Sequence, residues 1–109
     1  MFNVEPRNIV SLVLDDGTCP FDDWLENLED DFTVRRVLSR LTRIRDGNFG
    51  DHKSVGDGVY ELRIPCGPGI RIYYGMEDSR IVVLILGGDK SSQVADIIKA
   101  KKLWRMYRK

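Results

Sequence analysis

The spacing of apolar positions changes along the chain, and the changes divide it into elements. Residues 8–14, Asn-Ile-Val-Ser-Leu-Val-Leu, are rich in branched apolar side chains and stop at Asp15-Asp16-Gly17, which predicts a strand and a turn. Pro20 sits where a helix can start, with Thr18 or Cys19 as its cap. Phe21, Trp24, Leu25 and Leu28 follow at i, i+3, i+4 and i+7, one face of a short helix. A second helix has Val34, Val37, Leu38, Leu41 and Ile44 on its buried face and ends at Gly47. Its outer face holds Arg35, Arg36, Arg40, Arg43 and Arg45. The two helices make a helical hairpin.

After Gly50 the period shortens from that of a helix to that of a strand. Residues 58–65 put Tyr60, Leu62 and Ile64 on one side and Val59, Glu61 and Arg63 on the other. Cys66-Gly67-Pro68-Gly69 is a turn. The next strand has Ile70, Ile72 and Tyr74 on one face and Arg71 and Tyr73 on the other. Residues 80–86 form a continuous apolar run, as expected of a central strand buried on both faces, and Gly87-Gly88 ends it. Ser91 or Ser92 caps a last helix whose Val94, Ile97, Ile98, Leu103 and Trp104 pack inward. The predicted order β-α-α-β-β-β-α is an α+β fold, a small antiparallel sheet packed by the N-terminal hairpin and a C-terminal helix.

Composition adds limits. With 109 residues the chain reads as one domain, 1–109, able to bury roughly two-thirds of its unfolded surface. No apolar run approaches the roughly 20 residues of a membrane helix, so no membrane partner is expected. The start of the chain, with Glu5 early, does not read as a signal peptide. Cys19 and Cys66 lack metal-ligand spacing and read as reduced thiols of a cytoplasmic protein, with no metal or cofactor implied.

The net charge of zero hides a division. Residues 1–34 carry nine acids and one base, net −8, and the remainder carries 16 bases and eight acids, net +8. Two surfaces with different partners would produce that split, as would solvated faces that offset each other.

A hairpin symmetric about Gly67, with a three-residue loop, sets Arg63 opposite Arg71 and Glu61 opposite Tyr73, away from the apolar set. Facing arginines repel unless an anion sits between them, and each guanidinium offers a planar fork that matches phosphate. A lattice in which Glu61 neutralises one arginine explains the pattern equally well.

Longer strings carry a resemblance. Gly-Asp-His-Lys-Ser-Val-Gly-Asp-Gly-Val-Tyr-Glu-Leu-Arg-Ile (50–64), Gly-Pro-Gly-Ile-Arg-Ile-Tyr-Tyr (67–74) and Gly-Gly-Asp-Lys-Ser-Ser-Gln-Val-Ala-Asp-Ile (87–97) together resemble the RelE/ParE toxin superfamily. Phe21-Asp-Asp-Trp-Leu and the 40–48 stretch Arg-Leu-Thr-Arg-Ile-Arg-Asp-Gly-Asn fit its HigB-like branch, the addiction-module killer proteins. The resemblance implies a cytoplasmic messenger-RNA endonuclease, free or ribosome-bound, that inhibits translation. Its other partner would be an antitoxin, a small helix-turn-helix DNA-binding protein.

In such enzymes the ribose 2′-hydroxyl attacks the adjacent phosphate. By resemblance Arg71 stabilises the pentavalent phosphate, Arg63 is a second clamp, and Tyr73 stacks on a base or positions the nucleophile. Lys53 would help activate the 2′-hydroxyl, which requires neighbouring cations or burial to lower an ordinary lysine pKa of about 10.4. Lys90 would protonate the leaving oxygen. RNA-backbone contacts fall to Arg36, Arg40 and Arg43 on the second helix and to Lys101 and Lys102 in the tail. Solvated helix faces account for these bases about as well. His52, the single histidine, is a less favoured general base.

One departure bears on function. Many RNA-cleaving relatives have a basic pair after the last strand, whereas this chain has Asp89-Lys90. Gyrase-poisoning relatives share the fold without cleaving RNA, and inactive members persist as antitoxin-binding proteins, so fold alone leaves three classes open.

Overall fold

The computed structural model describes residues 7–108. Its elements are β1 (Asn8–Ser11), α1 (Pro20–Glu26), α2 (Asp31–Arg45), β2 (His52–Gly56), β3 (Val59–Ile64), β4 (Ile70–Glu77), β5 (Ile81–Asp89), a 3-10 turn (Lys90–Ser92) and α3 (Gln93–Tyr107). The strands form one sheet in the order β1-β5-β4-β3-β2. It is an α+β fold with a mostly antiparallel sheet, and the pair β1–β5 is parallel.

Helix starts follow the local chemistry. Pro20 occupies the first turn of α1 without any side-chain cap. Asp30 caps α2, accepting from the Phe32 amide at 3.1 Å and the Thr33 hydroxyl at 2.8 Å. Cys19 and Cys66 are both free thiols, and the buried Cys66 lies 3.7 Å from the Thr33 hydroxyl.

β2 is an element beyond the expected order. It has little apolar alternation, being an edge strand whose first three residues are exposed. Its turn into β3 is Asp57-Gly58, both at positive φ (56° and 81°), the conformation that a two-residue hairpin requires and that Asp-Gly favours.

β5, between β1 and β4, has an apolar run covered on both faces. One core packs Phe21, Val37 and Ile44 of α1 and α2 against Leu62, Ile64, Ile70, Ile72, Tyr74, Val82 and Leu84. The other packs Ala100, Leu103 and Trp104 of α3 against Val59, Tyr73, Val83 and Ile85. Gly87 and Gly88 lie inside β5 rather than ending it. A Cβ at Gly87 would collide with the Trp24 ring, and one at Gly88 with the Asp96 carboxylate. Gly75 on β4 likewise makes room for Trp104.

Two faces depart from the expected packing. Val94 and Ile98 are exposed, because α3 turns Ile97, Ala100, Leu103 and Trp104 to the sheet instead. Leu38 is exposed as well, one side of α2 overhanging the core. Among the described residues no helix is long and apolar enough to cross a membrane.

Candidate functional site

The register of β3 and β4 sets the site. Arg63 pairs with Arg71 and Glu61 with Tyr73, as the symmetry about Gly67 predicts, although the last pair, Ile64–Ile70, leaves a longer loop. Lys53 on β2 pairs with Glu61, and Gly88 on β5 with Arg71. Directly opposed residues share a face. Lys53, Glu61 and Tyr73 therefore form one row, and Arg63, Arg71 and Gly88 the next.

That face is not open, which corrects the expectation for Arg71 and Tyr73. Helix α3 lies across it. Glu61 is fully buried, and its Oε2 accepts from the Gln93 amide at 2.8 Å and from the Tyr73 hydroxyl at 3.2 Å. Burial, reinforced by the Glu61 charge, pushes the Tyr73 phenol well above its ordinary value. With no exposed surface, Tyr73 has no ring face on which an RNA base could stack. Its contact is instead the positioning of Glu61.

The second oxygen of Glu61 faces Arg71. Oε1 and Nε are 4.0 Å apart, and neither has a hydrogen-bond partner among the described residues. The pair is a loose one, so the carboxylate orients the guanidinium without using its donors. The Arg71 side chain is 14% exposed, and its Nη1 lies 3.4 Å from the Ile70 carbonyl oxygen. Arg63 carries its own acid, with Nη2 2.8 Å from Asp51 Oδ1, and is 35% exposed. Each arginine thus has a carboxylate of its own, and the electrostatic lattice weighed from sequence is present.

Lys90 approaches Arg71 from the other side. Its Cβ and Arg71 Nη1 each lie 3.5 Å from the point where a Cβ would sit on Gly69, so the Lys90 side chain starts close to the Arg71 guanidinium. Asp89, the residue that replaces a second base, accepts from the Ser91 amide and hydroxyl and caps the turn that carries Lys90. The Ser91 hydroxyl also holds the Asp89 carboxyl below its usual range. Lys90 and Lys53 are exposed. Three cations on one sheet face, two of them beside acids, with Lys90 on the adjoining turn, make a surface suited to a phosphodiester.

The other predicted contacts divide. Arg36, Arg43 and Lys102 are exposed, as an RNA-backbone role requires. Arg40 is not on the outer face. Its Nη1 and Nη2 donate to the carbonyl oxygens of Arg63 and Phe49, both at 2.9 Å, so it joins α2 to the sheet. Burial, with the Arg43 charge behind it, lowers its pKa. Lys101 is half-buried and lies 3.7 Å from Asp57, which makes it a brace across the β2–β3 turn. His52 is one residue from Lys53 but on the opposite face of the sheet, with its ring 5.3 Å from Phe49.

Sequence reasoning passed over Gln93, Asp96 and Asp51, and gave Glu61 only a neutralising part. Asp96 accepts from the Ser92 hydroxyl at 2.5 Å above Gly88. The signal for Glu61 was its position beside Arg63 and opposite Tyr73. What that position could not reveal was the helix above it.

No family model matches the chain. A curated protein of Haemophilus influenzae, described only as uncharacterized, is 45% identical over 86 residues, covering 79% of this chain and 87% of that protein.

Proposed function

The chain belongs to one family with the Haemophilus influenzae protein; from its cationic sheet face and the resemblance of its 50–64, 67–74 and 87–97 strings we propose that it is an RNA-cleaving toxin of the RelE/ParE type. It acts in the cytoplasm and is silenced by a small DNA-binding antitoxin. The observation that carries this reading is the nearness of Arg71 Nη1 and Lys90 Cβ at Gly69, with Arg63 and Lys53 on the Arg71 face of the sheet.

In the proposed reaction Lys53 helps activate the 2′-hydroxyl, which loses its proton to water as the 2′-oxygen bonds to phosphorus. Arg71 and Arg63 compensate the charge of the pentavalent phosphate. The bond from phosphorus to the 5′-oxygen breaks, and Lys90 delivers a proton to that oxygen. The products are a 2′,3′-cyclic phosphate and a 5′-hydroxyl. Glu61 positions Arg71 and is itself held by Gln93 and Tyr73.

Expression without the antitoxin should arrest growth, with messenger-RNA fragments visible by primer extension. Growth arrest with intact transcripts would overturn cleavage. A second reading has its own observation: both arginines already face carboxylates, as in a purely structural lattice. On that reading the protein binds a target such as gyrase without chemistry, and arrest would come with defective supercoiling.

A further inference from the structure

On the sheet face opposite Arg71, beyond the end of α2, three rings stand in series. Tyr60 stacks on Tyr74 (5.5 Å, 20°) and Tyr74 on Phe49 (5.7 Å, 24°), while His52 tilts against Phe49. They line a cavity of about 390 Å³, within the range of about 300–1,000 Å³ typical of small-ligand sites.

Arg7 borders it, with its guanidinium 5.0 Å from the centre of the Phe49 ring. Its Nε is buried and has no hydrogen-bond partner among the described residues. Its backbone is fixed, the amide donating to the Arg45 carbonyl at 3.0 Å. Among the described residues, no carboxylate lines the cavity. His52 Nδ1 lies 3.0 Å from the Gly50 carbonyl, which ties the ring to the start of β2.

Flat aromatic walls favour a planar ring, and a cation without an acid beside it favours an anion. An apolar side chain of a protein would use only the walls. A nucleotide uses both, with its base on the rings and its phosphate on the guanidinium. We propose that this cavity is a nucleotide-binding site that stacks a base on Tyr60, the outer ring of the series, and holds its phosphate with Arg7. His52 and Lys53, neighbours on edge strand β2, point to opposite faces. An RNA strand crossing that edge would reach the cavity and the cationic cluster together. The site does not depend on the cleavage reading.

The test is a titration of the full chain with adenosine 5′-monophosphate and with adenosine, followed by amide chemical shifts. Shifts should centre on Phe49, His52, Tyr60 and Tyr74. Tyr60→Leu should weaken binding about tenfold or more, the scale of losing one stacking ring. Arg7→Gln should weaken the monophosphate and leave adenosine unchanged. The same titration on Arg71→Ala should still show binding, which keeps this site separate from the proposed active site. A short oligoribonucleotide that displaces the monophosphate identifies RNA as the source of the base, and one that does not identifies a free nucleotide. Three results would overturn the proposal: no shifts at millimolar ligand, shifts confined to the Arg71–Lys90 cluster, or tighter binding of N-acetyltryptophanamide than of the monophosphate.

Discussion

Arg63 and Arg71 stand directly opposite each other on β3 and β4, and each faces a different carboxylate, Asp51 and Glu61. The two are unequal. Asp51 is exposed, so its ion pair is screened by water and contributes little. Glu61 is fully buried, and Arg71 is the cation beside it.

Arg71→Ala therefore leaves a buried carboxylate without its cation and should destabilise the fold by about 1–3 kcal/mol, the scale of an unsatisfied buried polar group. Sequence alone, placing Arg71 on an open face, sets at most about 1 kcal/mol. Arg71→Lys retains the charge and should recover most of the stability, while cleavage stays down ~10²-fold because the bidentate donor is gone. Denaturant midpoints with primer extension separate the two effects. Wild-type cleavage by folded Arg71→Lys or Arg71→Ala would remove Arg71 from the chemistry.

Arg40 and Arg36 look alike in sequence but should behave differently. Arg40→Ala strands the carbonyls of Arg63 and Phe49 and should lower stability by about 1–3 kcal/mol. Arg36→Ala, on the exposed face, should stay within about 0.5 kcal/mol of the parent. If α2 follows an RNA backbone, Arg36→Ala should weaken RNA affinity and reduce its salt dependence. Equal stability of the two variants would contradict the assignment of Arg40 as a brace.

How much was legible from sequence follows from these pairs. The β3–β4 register was, because strict alternation around a Gly-Pro-Gly turn leaves few ways to pair. The inward face of α3 was not: Val94 and Ile98 are as apolar as Ile97 and Leu103, and only the sheet below decides which are covered. Arg40 differs from Arg36 through contacts distant in sequence. Strand β2 announced itself only through Asp57-Gly58. Gly87-Gly88 read as a strand end because the side chains that need the space, Trp24 and Asp96, come from other elements.

Those glycines give a packing test. Gly87→Ala would push a methyl into the Trp24 ring, and Gly75→Ala one into Trp104. Each should cost about 1–3 kcal/mol or more, since ring and backbone cannot both yield. The double variant Gly87→Ala/Trp24→Leu should be more stable than Gly87→Ala alone, as measured by denaturant unfolding. If Gly87→Ala is neutral, Trp24 does not sit on β5 as described.

Tyr73 and Tyr74 set the alkaline limit of the fold. Burial raises both phenols above their ordinary value of 10.0. The folded chain therefore holds two protons that the unfolded chain releases above about pH 10. The resulting stability is fully present below pH 10 and is lost as pH rises above it. Of the four tyrosines in the chain, these two should ionise only together with unfolding, followed by phenolate absorbance against circular dichroism. Tyr73→Phe should leave only Tyr74 ionising in that way. Reversible titration of Tyr73 in folded protein would show that α3 does not seal it.

Lys53 and Lys90 separate chemistry from folding. Both are exposed, so Lys53→Ala and Lys90→Ala should leave stability within about 0.5 kcal/mol of the parent. Loss of the leaving-group acid or of the group that activates the 2′-hydroxyl should slow cleavage by about 10²–10⁴-fold. The two roles differ in what restores the rate. A substrate whose 5′-bridging oxygen is replaced by sulfur carries a leaving group that needs no proton. It should rescue Lys90→Ala, and it should leave Lys53→Ala slow, because the 2′-hydroxyl must still lose its proton. A 2′-deoxy residue at the scissile position should block cleavage in every variant. Rescue of Lys53→Ala by sulfur, with none for Lys90→Ala, would exchange the two roles. If both alanine variants cleave the ordinary substrate at the parent rate, the lysines are solvated charges and the proposed proton path is wrong.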